Sequence, residues 1–247
     1  MKKIWVVIPL ALGLALGIWN TSGKAQVEVG KDKKTKNKIR IQYLSEGQSQ
    51  ILAEGWIKKE LQEYKQNNDS ISANYLEGAS LTPPTQYYNS RGRGVRFVYD
   101  IKQGDKFVGY VTVDAEGIEG DTLFSPYAIG TTANKEIPIR MDKTDARHNE
   151  DRVQRCKNKI IELVGPKAQL NGPTFYFFSN DKYDPYLVGF KDVKSGKLYL
   201  GELGFGRLLP ESTTLQSLQK QHDEIFLHSY ERKKQSIGSS VIFPRDI

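Results

Sequence analysis

The residues best suited to chemistry lie in one acidic segment, "DAEGIEGD", which runs from Asp114 to Asp121. Its carboxylates alternate with glycines, and carboxylate oxygens are the ligands that calcium prefers. The order of the acids does not match an EF-hand loop, so a solvated glycine-rich turn is the simpler interpretation. Two chemical alternatives stay open: a carboxylate pair for acid–base catalysis, and a calcium site formed by Asp114, Glu116, Glu119 and Asp121.

The three histidines do not have the spacing of a metal site. His222 and His228 fall on one predicted helix but differ by roughly 240° around its axis, whereas a zinc-binding pair uses i, i+4 spacing. We therefore expect imidazoles that are hydrogen-bonded or exposed. A pocket that brought Asp114 or Glu116 together with His148 or His222 would instead favour a hydrolase or a metal-dependent enzyme.

Other catalytic patterns are weak. Cys156 falls on the apolar side of a predicted helix, away from the helix N-terminus that would favour a thiolate, so we expect an inert buried thiol. The segment "RGRG" (91–94) could contact an anion through backbone N–H groups, but it lacks the strand, loop and helix order of a phosphate site. The chain has no G-x-S-x-G motif. We predict no catalytic residue and no cofactor apart from the calcium alternative.

Two elements must position the acidic segment. Ser45 and Gln48 form a capping-box pattern before "ILAEGWIKKELQEY", whose apolar stripe predicts a helix. The stretch "RFVYDIKQGDKFVGYVTVDAEG" then alternates apolar and polar residues around a turn at Gln103–Asp105, which predicts a hairpin. We expect one face of the hairpin to carry Phe97, Tyr99, Ile101, Phe107, Val111 and Val113.

A similar order recurs further along the chain. A second helix is predicted from about Asp145 to Gly165, and the strands "TFYFF", "YLVGFKDV" and "KLYLGEL" follow, with a turn at Lys194–Gly196. The apolar side of this helix is expected to carry Val153, Cys156, Ile160, Leu163 and Val164. A third helix is predicted from about Thr214 to Gln235, with Leu215, Leu218, Ile225 and Phe226 on one face.

These patterns predict an α+β fold in which a helix packs on an antiparallel sheet, with two such units in tandem and a C-terminal helix. The expected segments are a signal peptide or anchor (1–25), a basic linker with a short strand (26–43), the first unit (44–130), the second unit (131–210), and the C-terminal amphipathic helix with its tail (211–247).

The N-terminal segment predicts export. Lys2 and Lys3 precede sixteen uncharged residues, Ile4–Trp19, and Gly23–Ala25 has the small-x-small pattern of a cleavage site. Cleavage after Ala25 is the favoured interpretation and a retained membrane anchor is the alternative. The basic residues that follow argue against this topology, because such clusters tend to stay in the cytoplasm. We expect an extracytoplasmic protein, secreted or membrane-anchored.

The charge of the chain is unevenly distributed. The net charge is +7, and the first forty residues carry nine basic and two acidic side chains, so the remainder is neutral. Outside this segment no basic patch with interleaved aromatic residues occurs, and we therefore expect no nucleic-acid partner. The segment Lys31–Arg40 is expected to be a solvated linker or a contact to lipid headgroups at a membrane surface.

Part of the chain resembles a known family. The run "QILAEGWIKKELQEY" resembles the A-x-x-x-A-x-x-W-Φ helix, with Φ apolar, that opens the pro-domains of secreted papain-like peptidases of the streptopain and staphopain type, although Gly55 lies near the second small position. The hairpin "FVYDI…FVGYVTVDAE" is similar to their "vaY-turn-GYi-tVsA" hairpin. The stretch "NGPTFYFFSNDKYDPYLVGFKDVKSGKLY" looks like a second such sheet. The resemblance covers roughly Ser45 to Ala128.

The resemblance implies a cystatin-like or PepSY-like body that binds a protein surface without catalysis of its own. No peptidase domain is recognised, because only a helix and a tail follow Pro210. We expect an exported, non-enzymatic protein of the cell envelope that acts as a pro-domain-like or inhibitor-like binding module. Its partner would be another envelope or secreted polypeptide, with a peptidase as one candidate. The contact would use a sheet edge or a tyrosine-rich surface formed by Tyr87, Tyr88, Tyr110, Tyr183 and Tyr186, although these tyrosines fit a half-buried sheet equally well.

Two alternatives from other classes remain. The first is a structural component of the cell surface or spore, which would associate with itself. The second is an envelope hydrolase or calcium-dependent protein that uses the acidic segment Asp114–Asp121.

Overall fold

A computed structural model describes residues 27–31, 38–122, 125–132, 150–177 and 186–239. The predicted signal peptide or anchor, His148 and Tyr183 lie outside the described residues. None of the helices in these described ranges is both long enough and apolar enough to span a bilayer.

The described chain contains helices and strands in an interleaved order. The helices are α1 (Glu46–Gln66), α2 (Ser70–Leu76), α3 (Glu150–Val164) and α4 (Leu215–Ser239). The strands are β1 (Val27–Lys31), β2 (Lys38–Tyr43), β3 (Ser80–Leu81), β4 (Thr85–Tyr88), β5 (Gly94–Gln103), β6 (Lys106–Asp114), β7 (Glu116–Ile118), β8 (Tyr127–Thr132), β9 (Leu170–Phe177), β10 (Tyr186–Asp192), β11 (Leu198–Glu202) and β12 (Arg207–Leu208).

The strands form two sheets, and the predicted α+β class is confirmed. A large sheet has the order β12-β11-β10-β9-β4-β5-β6-β8, with β3 also pairing with β5. A small sheet has the order β1-β2-β7. All pairs are antiparallel except β4 and β9, which meet in parallel at Tyr88 and Tyr176. This parallel contact joins the strands of the first predicted unit to those of the second.

Helix α1 begins as the sequence predicts. The Ser45 side chain accepts a hydrogen bond from the Gln48 backbone N–H, and the Gln48 side chain accepts one from the Ser45 N–H, which completes the capping box. Ala53 and Ile57 are buried in a cluster with the hairpin strands β5 and β6. The indole of Trp56 lies against Gly130 of β8, where a Cβ atom would come within 1.9 Å of it. The absence of a side chain at this position therefore lets α1 approach the sheet.

The central hairpin has the predicted turn but a different register at one position. Strands β5 and β6 are joined by Gly104 and Asp105, and Gly104 adopts a positive φ of 61°. A bulge between Ile101 and Lys102 shifts the pairing. Next to the turn, the side chain of β6 that enters the core is consequently that of Val108, and the prediction that Phe107 shares the core face is wrong.

Helix α3 covers strands β11 and β12. Cys156 and Ile160 are fully buried against β10 and β11 residues, as the apolar stripe predicts. Leu163 and Val164 are exposed, so their predicted place in the core is wrong. The reason is that the buried cluster beneath α3 involves its earlier turns and does not extend to its last turn.

Helix α4 packs on strands from both predicted units. Near its N-terminus, Leu218 is buried with Leu187 and Leu200 of β10 and β11. Further along, Phe226 packs on a cluster that contains residues of β2, β4 and β5. Close to its C-terminal end, Tyr230 is buried with Ile39 and Ile118 of the small sheet. The helix thus connects the large sheet with the small one.

Candidate functional site

The acidic segment crosses from one sheet to the other. Asp114 ends β6 and lies opposite Arg96 and Tyr127 in the large sheet. Glu116 begins β7 and lies opposite Tyr43 in the small sheet. Between them, Ala115 donates its N–H to Val95 O and accepts a hydrogen bond from Leu44 N, both at 2.9 Å. The segment is therefore a structural crossover: Asp114 lies in the large sheet, Glu116 lies in the small sheet, and Glu119 and Asp121 follow the end of β7.

The four carboxylates have different basic partners. The closest pairs join Asp114 to Arg96 at 2.8 Å and Glu116 to His222 at 2.9 Å. The longer pairs join Glu119 to Arg40 and Asp121 to Lys234, each at 3.7 Å. Among the described residues, no group of three or more His, Cys, Asp and Glu side chains is placed to hold a metal ion. The calcium site at Asp114, Glu116, Glu119 and Asp121 stays a prediction, and this arrangement does not add to it.

The pair formed by Glu116 and His222 is the most buried ionisable contact of the segment. The His222 side chain is 3% exposed and that of Glu116 is 10% exposed. The imidazole Nε2 lies 3.0 Å from Oε1 and 2.9 Å from Oε2 of the carboxylate. The ring of Phe226, one helical turn further on, stacks on the imidazole at 6.3 Å between centroids. Residues 106 positions apart in the chain thus tie α4 to β7.

The pKa of His222 is set by opposing effects. Burial lowers this pKa, because the charged imidazolium loses its water. The charge of Glu116 and its hydrogen bond raise the pKa, Asp223 raises it further and Arg91 lowers it. The net result is a pKa above the ordinary value for histidine. The contact with Glu116 therefore favours the protonated form.

A small pocket of about 150 Å³ opens beside this pair. It brings Asp114 and Glu116 together with His222, which is the combination that would favour an enzyme. The pocket also has an apolar side and a hydroxyl group. Its lining consists of Val95, Arg96, Asp114, Glu116, His222, Ile225, Phe226 and Ser229.

A second polar cluster lies where α4 meets the turn between β4 and β5. Asn89, which is fully buried, accepts hydrogen bonds through Oδ1 from the N–H groups of Arg91 and Arg93 and donates through Nδ2 to the Tyr43 hydroxyl. Arg91 forms two parallel hydrogen bonds to Asp223, at 2.5 and 3.1 Å. The "RGRG" segment therefore binds a carboxylate of the same chain.

Sequence reasoning missed this second cluster. The residues of its main ion pair are 132 positions apart, and no local pattern connects them. Burial and the neighbouring Glu116 raise the pKa of the Tyr43 phenol, so the phenol stays protonated and can donate a hydrogen bond.

The end of the large sheet at β8 is a second candidate site. The strand has six residues, and no described strand pairs with its outer edge. Tyr127, at its start, is 51% exposed.

The tyrosine-rich surface that the sequence predicts does not include this edge. Tyr87 is fully buried in the cluster below α4, so its predicted place on a binding surface is wrong, while Tyr88 and Tyr110 are half-buried.

Comparison with protein-family models, with curated proteins and with solved structures finds no match for this chain. The resemblance to peptidase pro-domains stays a prediction from the sequence. Candidate sites among the described residues include the β8 edge and the pocket beside Glu116 and His222.

Proposed function

We propose that this chain is an exported, non-enzymatic protein of the cell envelope that binds another polypeptide by pairing an extended segment with β8. One observation carries the proposal: the large sheet ends in a six-residue strand whose outer edge pairs with no described strand. The backbone N–H and C=O groups along such an edge can accept an added strand.

The two ends of the large sheet differ in a way that supports this choice. At the opposite end, β12 has two residues, and natural proteins commonly protect an edge by making it this short. Strand β8 is three times as long, so an added strand could form several backbone hydrogen bonds with it. Binding at β8 is therefore more favourable than binding at β12.

The side chains near β8 indicate what kind of segment would fit. Successive residues of an added strand would face opposite sides of the sheet. On one side they would meet Trp56 of α1, which lies on Gly130. On the other side they would meet Tyr127, whose cross-strand neighbour Asp114 pairs with Arg96. An extended segment with apolar residues at alternate positions and polar residues between them matches both sides.

Photo-crosslinking in the native cells tests the proposal. Tyr127→p-benzoylphenylalanine places the reactive group at the start of β8. Ile71→p-benzoylphenylalanine is the matched control, because Ile71 is similarly exposed, at 54% against 51%, and lies on α2. We expect a crosslinked polypeptide from position 127 that is absent or much weaker from position 71. The mature chain in the same sample should begin at Gln26 if the signal peptide is cleaved.

The other outcomes separate the alternatives. Equal crosslinking from both positions, or none from position 127, would contradict binding at β8. Crosslinking only to a second copy of the chain would indicate a self-associating structural component. Repeating the experiment on isolated envelopes with calcium and then with a chelator tests the acidic segment, since a calcium-dependent protein would lose its crosslink with the chelator.

A hydrolase is the second candidate, and one observation favours it: the pocket gathers Asp114, Glu116 and His222. It ranks second because the imidazole of His222 is 3% exposed and its Nε2 already contacts Glu116. Little of the imidazole surface is therefore accessible to a substrate. Chromogenic ester, amide and glycoside substrates test this candidate. Turnover by the full chain that is lost in His222→Gln and kept in His228→Gln would support it; the absence of turnover in all three would count against it.

A further inference from the structure

Helix α4 is attached to the rest of the chain by ionic contacts as well as by apolar packing. His222 contacts Glu116 of β7, Asp223 contacts Arg91 of the β4–β5 turn, and Lys234 contacts Asp121. Among these groups, histidine alone has an ordinary pKa between about pH 5 and pH 8. A change of pH in this range therefore acts on the docking of α4 mainly through His222.

The charged groups that face His222 come from every element around it. Glu116 of β7 is in direct contact, and Asp223 is the next residue of α4 itself. Arg91 approaches from the β4–β5 turn, and the phenol of Tyr43 on β2 lies nearby. Arg96 of β5 and Asp114 of β6, which pair with each other at 2.8 Å, line the same pocket. Of these groups, Glu116 and Asp223 favour the positive charge of the imidazole and Arg91 opposes it, and the net effect favours the charge.

The sign of the pH effect follows from this balance. Docked α4 holds His222 with a raised pKa, whereas in the undocked helix the imidazole returns to its ordinary pKa of about 6.5. The stabilisation is therefore fully present below about pH 6.5 and is lost as the pH rises through the pKa of the docked state. Above that value a neutral imidazole faces a buried carboxylate, which has lost its counter-charge.

We propose that the contact between Glu116 and His222 makes the docking of α4 pH-sensitive, firm under mildly acidic conditions and weaker as the pH rises. This inference goes beyond the proposed function, because it concerns α4 and the small sheet and does not depend on a partner at β8.

Loosening of α4 would change the surface of the molecule. The helix covers Ile39 and Ile118 of the small sheet through Tyr230, and it covers the cluster around Ile41 through Phe226. Both sides of this contact are apolar. An undocked α4 would therefore expose an apolar helix face and an apolar sheet face together.

Amide hydrogen exchange of the full chain tests the proposal. Exchange is measured at about pH 6 and about pH 9 and corrected for the intrinsic pH dependence of exchange. Helix α3 is the internal reference, because its buried residues Cys156 and Ile160 pack on a different cluster, with Val188 and Phe190 of β10. We expect the opening of α4 to increase relative to α3 between the two pH values. The increase should be about tenfold for each unit by which the pKa of His222 exceeds its ordinary value.

Two variants make the test specific. Glu116→Gln keeps a hydrogen-bond acceptor for the imidazole but removes the charge, so α4 should no longer open more readily at high pH. His228→Gln is the matched control, because His228 is an exposed histidine on the same helix, and it should behave as the unmodified chain does. Opening of α4 that does not depend on pH in the unmodified chain would overturn the proposal. So would an identical pH dependence in Glu116→Gln.

A second measurement decides the matter if Glu116→Gln does not fold. The His222 imidazole can be titrated by nuclear magnetic resonance in the unmodified chain, with His228 as the exposed reference. A midpoint for His222 above that of His228 supports the proposal, and an equal or lower midpoint overturns it.

Discussion

Single polar residues organise the contact between α4 and the β4–β5 turn. The side chain of Asn89 accepts two backbone N–H groups of the turn and donates to Tyr43, while its own backbone bonds to Arg93 and Gly92. The same turn places Arg91 within hydrogen-bonding distance of Asp223. A buried donor that lacks an acceptor lowers the stability of the fold. The Asn89 side chain alone therefore determines whether the hydrogen-bonding groups of this turn have partners.

We expect Asn89→Ala to lower the free energy of unfolding by about 3 kcal/mol. The variant leaves two backbone N–H groups of the turn and the Tyr43 hydroxyl without their present partner, and each such loss costs about 1 kcal/mol or more. Urea unfolding measures the effect. Asn158→Ala, at an exposed position on α3, is the control and should change stability by less than about 0.5 kcal/mol. Equal effects of the two substitutions would show that the turn does not depend on Asn89.

At the scale of the element, α1 contains one glycine that weakens it and faces another that it requires. Gly55 lies in the interior of the helix and is exposed, and apart from its neighbours in the helix no atom lies within 4 Å of the place where a Cβ would lie. Gly130 on β8 lies under Trp56, and a Cβ there would overlap the indole. The same residue type is thus unfavourable at one position, through its backbone entropy, and necessary at the other, through its small size.

The pair Gly55→Ala and Gly130→Ala should change stability in opposite directions. Gly55→Ala should stabilise by about 1 kcal/mol, because alanine has the higher helix propensity. Gly130→Ala should destabilise by about 1 to 3 kcal/mol, since Trp56 or the strand must move. Thermal unfolding followed by circular dichroism measures both. Destabilisation by Gly55→Ala would mean that α1 has a contact at that position, and a neutral Gly130→Ala would mean that Trp56 adjusts at little cost.

At the scale of the whole molecule, α4 connects the two predicted units. It is buried on β10 and β11 through Leu218 and on the small sheet through Tyr230. The strands of the two units also meet directly at β4 and β9. Because the helix and the sheet both join the two predicted units, we expect these units to unfold as one cooperative unit. The boundaries 44–130 and 131–210 remain predictions.

Leu218→Ala tests this cooperativity. The side chain is 8% exposed, and its truncation should destabilise the chain by about 2 to 3 kcal/mol. If the two units unfold together, amide hydrogen exchange should lose the same protection in α1 and in α3. Loss confined to α3 and its strands would show that the units unfold separately. Leu163→Ala, on the exposed last turn of α3, serves as the control and should have little effect.

The sequence by itself determined the local structure of this protein. The capping box at Ser45, the turn at Gly104 and the alternation along β5 depend on residues a few positions apart, and all are present as predicted. The same locality explains the errors. Two features depend on the tertiary packing of β6 and of α3. They are the bulge that puts Val108 in the core in place of Phe107, and the end of the buried cluster before the last turn of α3.

The tertiary structure alone decided the candidate sites. The acidic segment reads as one cluster of carboxylates along the chain, yet the crossover at Ala115 sends Asp114 and Glu116 to different sheets and gives them Arg96 and His222 as partners. The pairs of Glu116 with His222 and of Arg91 with Asp223 join residues more than a hundred positions apart. Such contacts arise from the packing of α4 over two sheets. Local propensity does not indicate which distant side chain will contact a given residue.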